Sequence, residues 1–472
     1  VHLAKIEQQM RTVAHAHWRA AAAGCTTTFT EKTMRLKTWA ALTVAALSLP
    51  LLGGCGNDDA NKGYVRIINA TTEYTSLDLY TQDSDGNNDL VVSGTAAGAA
   101  SAYTGVDKGS YTFVVKSGGA AANATTVDGT VAKTDHYSVV TYLTGGAAKA
   151  TYLTDEEDAP ASNNAKVRVF NAATGEAASV DVYLTTNDCS ALTVTDTAFA
   201  SAVTGLQTSY AQVTASAAGT AWNVCVFTAG DRSTLLLDIP SLTLKNQEIA
   251  TLILTHTAGG VLLNGAVLDQ QGSMTSYTST ISRVRVAADA DSSATSGLVS
   301  VTLNSAEVTS LQASRSVSSY ATITSGTLTA SVTIDGITTN GFTLSDAAAG
   351  TDYTLLVTGP ASGPSLTLIK DDNTPSTSTS QTVKARFING VNGSSATLSA
   401  TVDNRSIGSA AFKGASSYVT IPATTGTSTV LPSITTNPAS LVNQSFTADG
   451  VYTIFIWGDG SNTPVLSVSS DR

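Results

Sequence analysis

Charge is scarce in this sequence. Only 13% of its 472 residues are Asp, Glu, Lys or Arg, about half the share usual in globular chains. Lys and Arg number 25 against 36 Asp and Glu, for a net charge of −11. With no basic stripe, an electrostatic grip on nucleic acid or on anionic lipid is excluded as a working model. Aromatic residues make up 6%, with four tryptophans, so a ladder of exposed rings for stacking sugars is not expected. Five histidines and four cysteines leave little for metal chemistry. No Gly-x-Ser-x-Gly, P-loop or dinucleotide fingerprint is present. Ala, Ser, Thr and Gly fill the gap. The length predicts several domains.

The longest apolar run is Trp39 to Leu52, behind a basic segment with Arg35 and Lys37. Fourteen residues are short for a bilayer span, and the flanks fit a secretory signal over residues 34–54. Leu52-Gly53-Gly54-Cys55 resembles the lipobox of bacterial lipoproteins. The resemblance implies cleavage before Cys55, lipidation of its thiol, and a firm anchor in the lipid bilayer through several acyl chains. Gly56 stands where Asp favours the inner membrane, so the resemblance points to the outer membrane. Residues 1–33 precede the first plausible start, Met34, and read as a mis-assigned gene start; residues 55–62 read as a tether. The mature chain then holds 418 residues, with 19 basic and 34 acidic.

Four segments of that chain open alike, at Tyr64-Val-Arg-Ile-Ile-Asn69, Lys166-Val-Arg-Val-Phe-Asn171, Arg283-Val-Arg-Val-Ala287 and Lys384-Ala-Arg-Phe-Ile-Asn389. A second strand follows each, at Leu77, Val180, Val299 and Leu398, and then a tyrosine, Tyr103, Tyr210, Tyr320 or Tyr418. Each copy closes on a β-rich run beginning near His136, Glu248, Asp352 or Val451. Period-two alternation, β-branched residues and Gly/Asn/Asp turns predict an all-β chain of four tandem immunoglobulin-like β-sandwich domains of about 100 residues after the signal peptide. The expected repeats are 63–158, 164–271, 281–373 and 381–472. Pro/Ser/Thr-rich joints at Ala159 to Asn164, Gly272 to Thr280 and Asn373 to Ser380 predict beads on a semi-stiff string.

The first two copies resemble the bacterial domain of unknown function 4397, through Val65-Arg66-Ile67 with Asp78-Leu79-Tyr80, and Val167-Arg168-Val169 with Asp181-Val182-Tyr183. Copies three and four have Ser300 and Ser399 in place of the Asp. The family's His-Ala-Ser-Pro-like turn is replaced by Asn69-Ala70-Thr71 and Asn171-Ala172-Ala173. The resemblance implies a sandwich in a cell-envelope setting and brings no activity.

Arg66 with Asp78, and Arg168 with Asp181, are expected to pair across strands on a solvated face, worth under about 1 kcal/mol. Cys189 and Cys225, 36 positions apart in copy two, are expected to form a structural disulfide worth about 3–4 kcal/mol. Asp83 to Asp89 spaces oxygens as a calcium loop does, but Gly86 and Gly94 occupy the wrong positions, and an Asp-Gly hairpin accounts for it. His136 and His256 fall in different copies, so neither a zinc set nor a histidine dyad within one copy is expected. Asp155-Glu-Glu-Asp158 reads as a solvated hinge, and Trp222 and Trp457 as core residues. No cofactor, metal or enzymatic activity is expected. The sequence supports a lipid-anchored protein displaying sandwiches for adhesion or envelope organisation. A periplasm-facing module with a glycan or protein ligand on its loops stays open, and a hydrolase ranks third.

Overall fold

The computed structural model describes residues 61–472, apart from 121–122, 145, 175–178, 205, 258, 291–296, 377–380, 392–396, 433–439 and 459–463. The lipobox residues Leu52, Gly53 and Gly54, the lipidation residue Cys55 and the signal segment lie outside the described residues.

Among the described residues the fold is all-β: eight sheets of four or five strands, two per copy, stacked as four β-sandwiches. No α-helix occurs among the described residues. In sandwich 1 the opening strand Lys62–Asn69 runs parallel to the penultimate strand His136–Thr144, and Ala147–Thr154 completes the sheet antiparallel. The facing sheet has the order Asn88–Ala96, Ser76–Gln82, Gly109–Ser117, Asn123–Val131. The same plan recurs in sandwiches 2, 3 and 4, whose opening strands Asn164–Asn171, Ile281–Ala290 and Thr382–Val391 pair in parallel with Ile249–His256, Asp352–Gly359 and Val451–Gly458; sandwich 2 adds one further strand at its end, Met274–Tyr277. Each copy thus has more strands than the roughly seven that the turn spacing suggests. Between its sheets each encloses an apolar core, around Val65, Leu79 and Phe113 in sandwich 1 and around Phe387, Phe446 and Ile454 in sandwich 4. Alternation explains this, because every second side chain of a strand faces the opposite sheet.

Beads on a string would leave the outer faces wet. Instead the sheets carrying the opening strands pack on one another. Ile68, Val140 and Leu153 of sandwich 1 share an apolar cluster with Phe170, Ile253 and Leu268 of sandwich 2. Ala287 and Leu356 of sandwich 3 likewise meet Ile388, Phe455 and Trp457 of sandwich 4. Burying those faces offsets the freedom a string would keep. Between the pairs, the turn at Gly259-Gly260 of sandwich 2 seats against sandwich 3, where the Asn373 amide donates to the Gly259 carbonyl at 3.0 Å. Gly260 has φ +97°, and a Cβ there would lie 2.4 Å from the Asn373 backbone, so only glycine fits.

The two motif aspartates have a local task. Asp78 accepts the amides of Gly94 (2.8 Å) and Gly119 (3.2 Å), and Asp181 those of Ala202 (2.7 Å) and Gly230 (2.9 Å). Both brace a bulge in the adjoining edge strand, where the register slips. In sandwich 3 Ser300 does this with one hydroxyl, accepting from Leu311 at 2.9 Å. The expected Arg66–Asp78 and Arg168–Asp181 pairs are therefore corrected: the acids belong to the other sheet and serve backbone. Leu311 has φ 46° and is 68% exposed, so it bears left-handed strain while burying little. Leu311→Gly is expected to raise stability by about 0.5–1 kcal/mol, read from the denaturation midpoint; a loss would show that the leucine packs usefully.

Candidate functional site at the sandwich interfaces

The four repeated arginines are built into these interfaces. Parallel register sets Arg66, Arg168, Arg285 and Arg386 opposite Ser138, Thr251, Thr354 and Thr453. Each Nε donates to that hydroxyl, at 2.7, 2.8, 2.9 and 3.2 Å. Each guanidinium also lies on the ring of its copy's repeated tyrosine, Tyr103, Tyr210, Tyr320 or Tyr418, at 4.5–4.8 Å. The tyrosines thus serve as cation–π platforms as well as packing residues.

A carboxylate completes three of the four sets. It sits two residues beyond the position paired with the hydroxyl: Asp155 after Leu153, Asp371 after Ile369, Asp471 after Ser469. Sandwiches 3 and 4 exchange these acids. Arg285 binds Asp471 and reaches Ser469 (2.8 Å) and Thr453 (3.2 Å), while Arg386 binds Asp371 and the Lys370 carbonyl (2.9 Å). All four charged groups are nearly inaccessible. Burial disfavours the charge of Arg285, but the carboxylates of Asp471 and Asp371 outweigh it and hold the guanidinium above its ordinary range. Burial, and then the charge of Asp371, pushes the Tyr320 phenol up, which keeps it a neutral donor to Asp371 at 2.5 Å.

Sandwiches 1 and 2 hold a lopsided version. Asp155 accepts from Ser138 (2.5 Å), Tyr103 (2.6 Å) and Arg66 (3.4 Å), and lies 3.7 Å from Arg168 across the interface. The position matching Asp471 is Gln270, whose amide bonds the Glu157 backbone in both directions, at 3.0 and 2.8 Å. Arg66 turns instead to the Gly272 carbonyl at 2.6 Å. The expected solvated hinge is corrected here, because Asp155 is 2% exposed and is the central acid of the interface. Its neighbour Glu157 pairs with Lys166 at 2.5 Å. Sequence reasoning missed Asp155, Gln270, Asp371 and Asp471. An acid closing the last strand of three copies was the available signal.

A second contact joins sandwiches 1 and 2. His256, 2% exposed, sits with Nε2 at 3.0 Å from Glu73 and 2.7 Å from Thr72. Burial pushes the Glu73 carboxyl up, but hydrogen bonding and charge from His256 outweigh this and hold it below its ordinary value of 4.5. A carboxyl with a depressed folded pKa adds stability above the unfolded pKa and loses it as pH falls through the folded one. Glu73→Gln is therefore expected to flatten the fall in melting temperature below about pH 4.5. An unchanged pH profile would remove Glu73 from the interface.

Cys189 and Cys225 are joined by a disulfide that pins the Asn187 to Ala198 loop over Tyr183 and Phe227, outside the main core of sandwich 2. Asp83 caps its own turn, accepting from Asp85 (2.9 Å) and Asn87 (2.8 Å). Among the described residues no three His, Cys, Asp or Glu gather as metal ligands. His136 stacks on Tyr64 at 5.0 Å and touches Glu156 at 2.9 Å. Trp457 is wholly buried, and Trp222 packs half-buried against the sandwich 2 core.

Residues 63–183 match the family model of a domain of unknown function, DUF4397. The DUF4397 match spans sandwich 1 and ends on Tyr183, in the second strand of sandwich 2. No curated protein matches. Among solved structures, a "putative cell adhesion protein" from Bacteroides uniformis aligns at 10% identity with TM-score 0.19, over 46% of this chain and 99% of its own. The CBMbc module (family CBM26) of Amy13K from Eubacterium rectale, in complex with maltoheptaose, aligns at 11% and 0.14, over 46% and 96%. Scores this low bear on no functional reading.

Proposed function

We propose that this is a non-enzymatic, lipid-anchored protein of the outer membrane that displays paired β-sandwiches for adhesion or surface organisation. One observation carries the reading: the repeated polar residues are spent on locking sandwich to sandwich. Arg285, Arg386, Asp371 and Asp471 close on one another in the dry interface, where no substrate reaches them. Such an interface holds surface loops at fixed spacing, as a display scaffold requires. Cys55 supplies the anchor by its lipobox resemblance.

The test is protease shaving of intact cells with a protease too large to cross the outer membrane, beside a periplasmic control. Loss of the sandwiches with the control spared supports display outside. Protection until lysis overturns it in favour of a periplasm-facing binding module. Cys55→Ser should release the chain from membranes; retention would remove the anchor.

A further inference from the structure

The two sandwich pairs share one plan but fill one region differently. Counting from the register-matched arginines and hydroxyls, Trp457 of sandwich 4 corresponds to Thr255 of sandwich 2, and Asp289 of sandwich 3 to Ala70 of sandwich 1. Arg315 corresponds to Gly98: each donates its amide to the residue three beyond the arginine, Ala288 or Asn69, and both are left-handed, at φ 61° and 68°. In sandwiches 3 and 4 Trp457 and Asp289 are buried, and the exposed Arg315 lies over Asp289. Trp457 is fully buried on Phe455, with ring centroids 4.9 Å apart, and its indole N–H donates to Ser467 at 2.9 Å. Asp289 accepts the Gly458 amide at 2.7 Å and lies 3.4 Å from Arg315.

All three positions are smaller in sandwiches 1 and 2, and a cavity of about 230 Å³ opens where they meet. Ala70, Gly98 and Thr255 line it, with Ile253, Met274 and Tyr277 as apolar walls. Thr72, Asn264 and Ser276 offer polar atoms at its edge. Ligand sites favour clefts at domain interfaces that combine apolar walls with a few polar groups.

We propose that this cavity is a binding site for a small planar aromatic molecule with one polar group, lying where Trp457 lies in the other pair. The site is independent of the display function: surface location and ligand uptake can each fail alone. A free ligand fits better than a partner's side chain, because the cavity is set between two sandwiches and walled by residues of both.

Indole is the probe, titrated into the full chain by calorimetry, with its effect on the melting temperature measured alongside. The expected result is saturable binding of one indole and a rise in melting temperature. Thr255→Trp, which restores the bulk found in sandwich 4, should weaken binding at least tenfold. Ala97→Trp should do the same from the exposed lip, where it disturbs no core and so tests the site should Thr255→Trp misfold. No binding to the natural chain, or binding unchanged in Ala97→Trp and in a folded Thr255→Trp, would overturn the proposal.

Discussion

Arg285→Leu is expected to destabilise sandwiches 3 and 4 by about 3–5 kcal/mol, the loss typical when one partner of a buried ion pair is removed. The arginine is 1% exposed and serves Thr354, Thr453, Ser469 and Asp471. Its removal strands the buried Asp471 carboxylate with only the Thr453 hydroxyl, at 2.5 Å, among these groups to bind it. Burial already pushes the Asp471 carboxyl up, so acid should protonate it readily and narrow the gap between variant and parent. Arg405→Leu is the control: Arg405 is exposed on the far sheet, and the change should stay within about 0.5 kcal/mol. Urea denaturation of the full chain reads both. A cost for Arg285→Leu below about 1 kcal/mol would restore the solvated-face reading. Because each arginine takes its acid from the neighbouring copy, both sandwiches should lose stability together.

The second large effect is expected from Trp457→Ala, at about 3–5 kcal/mol for a fully buried aromatic side chain. The loss combines apolar burial, the parallel stack on Phe455 (interplanar angle 4°) and the bond to Ser467. Trp222→Ala should cost less, because that ring is half-buried and packs against the edge of a core. Melting curves of the two variants decide the order, and equal losses would mean that Trp457 is not the keystone of its interface. Sandwiches 1 and 2 already live with a threonine at the matching position. They compensate with Phe170 and Leu268 in their shared cluster and with the His256–Glu73 contact.

Much of the architecture was legible because strand physics is local. Alternation in Tyr64-Val-Arg-Ile-Ile, its recurrence at Lys166, Arg283 and Lys384, and the Asp-Gly turns prescribe strands whatever lies nearby. The sites were harder. Arg66 was visible as a repeated residue, but its alternation places it on an outer face, and whether that face is wet depends on a domain 100 residues away. Asp155 opens an acidic run that reads as solvent-facing, yet its backbone continues the closing strand for one residue more, onto the covered side. Asp78 stood near Arg66 in the motif but on the other sheet, so proximity in sequence misled.

The sequence by itself determined the strands, the four copies and their cores, since two-residue periodicity and turn chemistry act over a few positions. Which outer faces meet was decided only in three dimensions. Copy 1 takes copy 2, and copy 3 takes copy 4, through apolar rows that need a neighbour's surface and through arginines of which Arg168, Arg285 and Arg386 reach a neighbour's acid. Gln270 in place of an acid, and Thr255 in place of Trp457, are ordinary residues when read along the chain. Their meaning, a lopsided charge cluster beside an open cavity, exists only once two sheets are laid face to face.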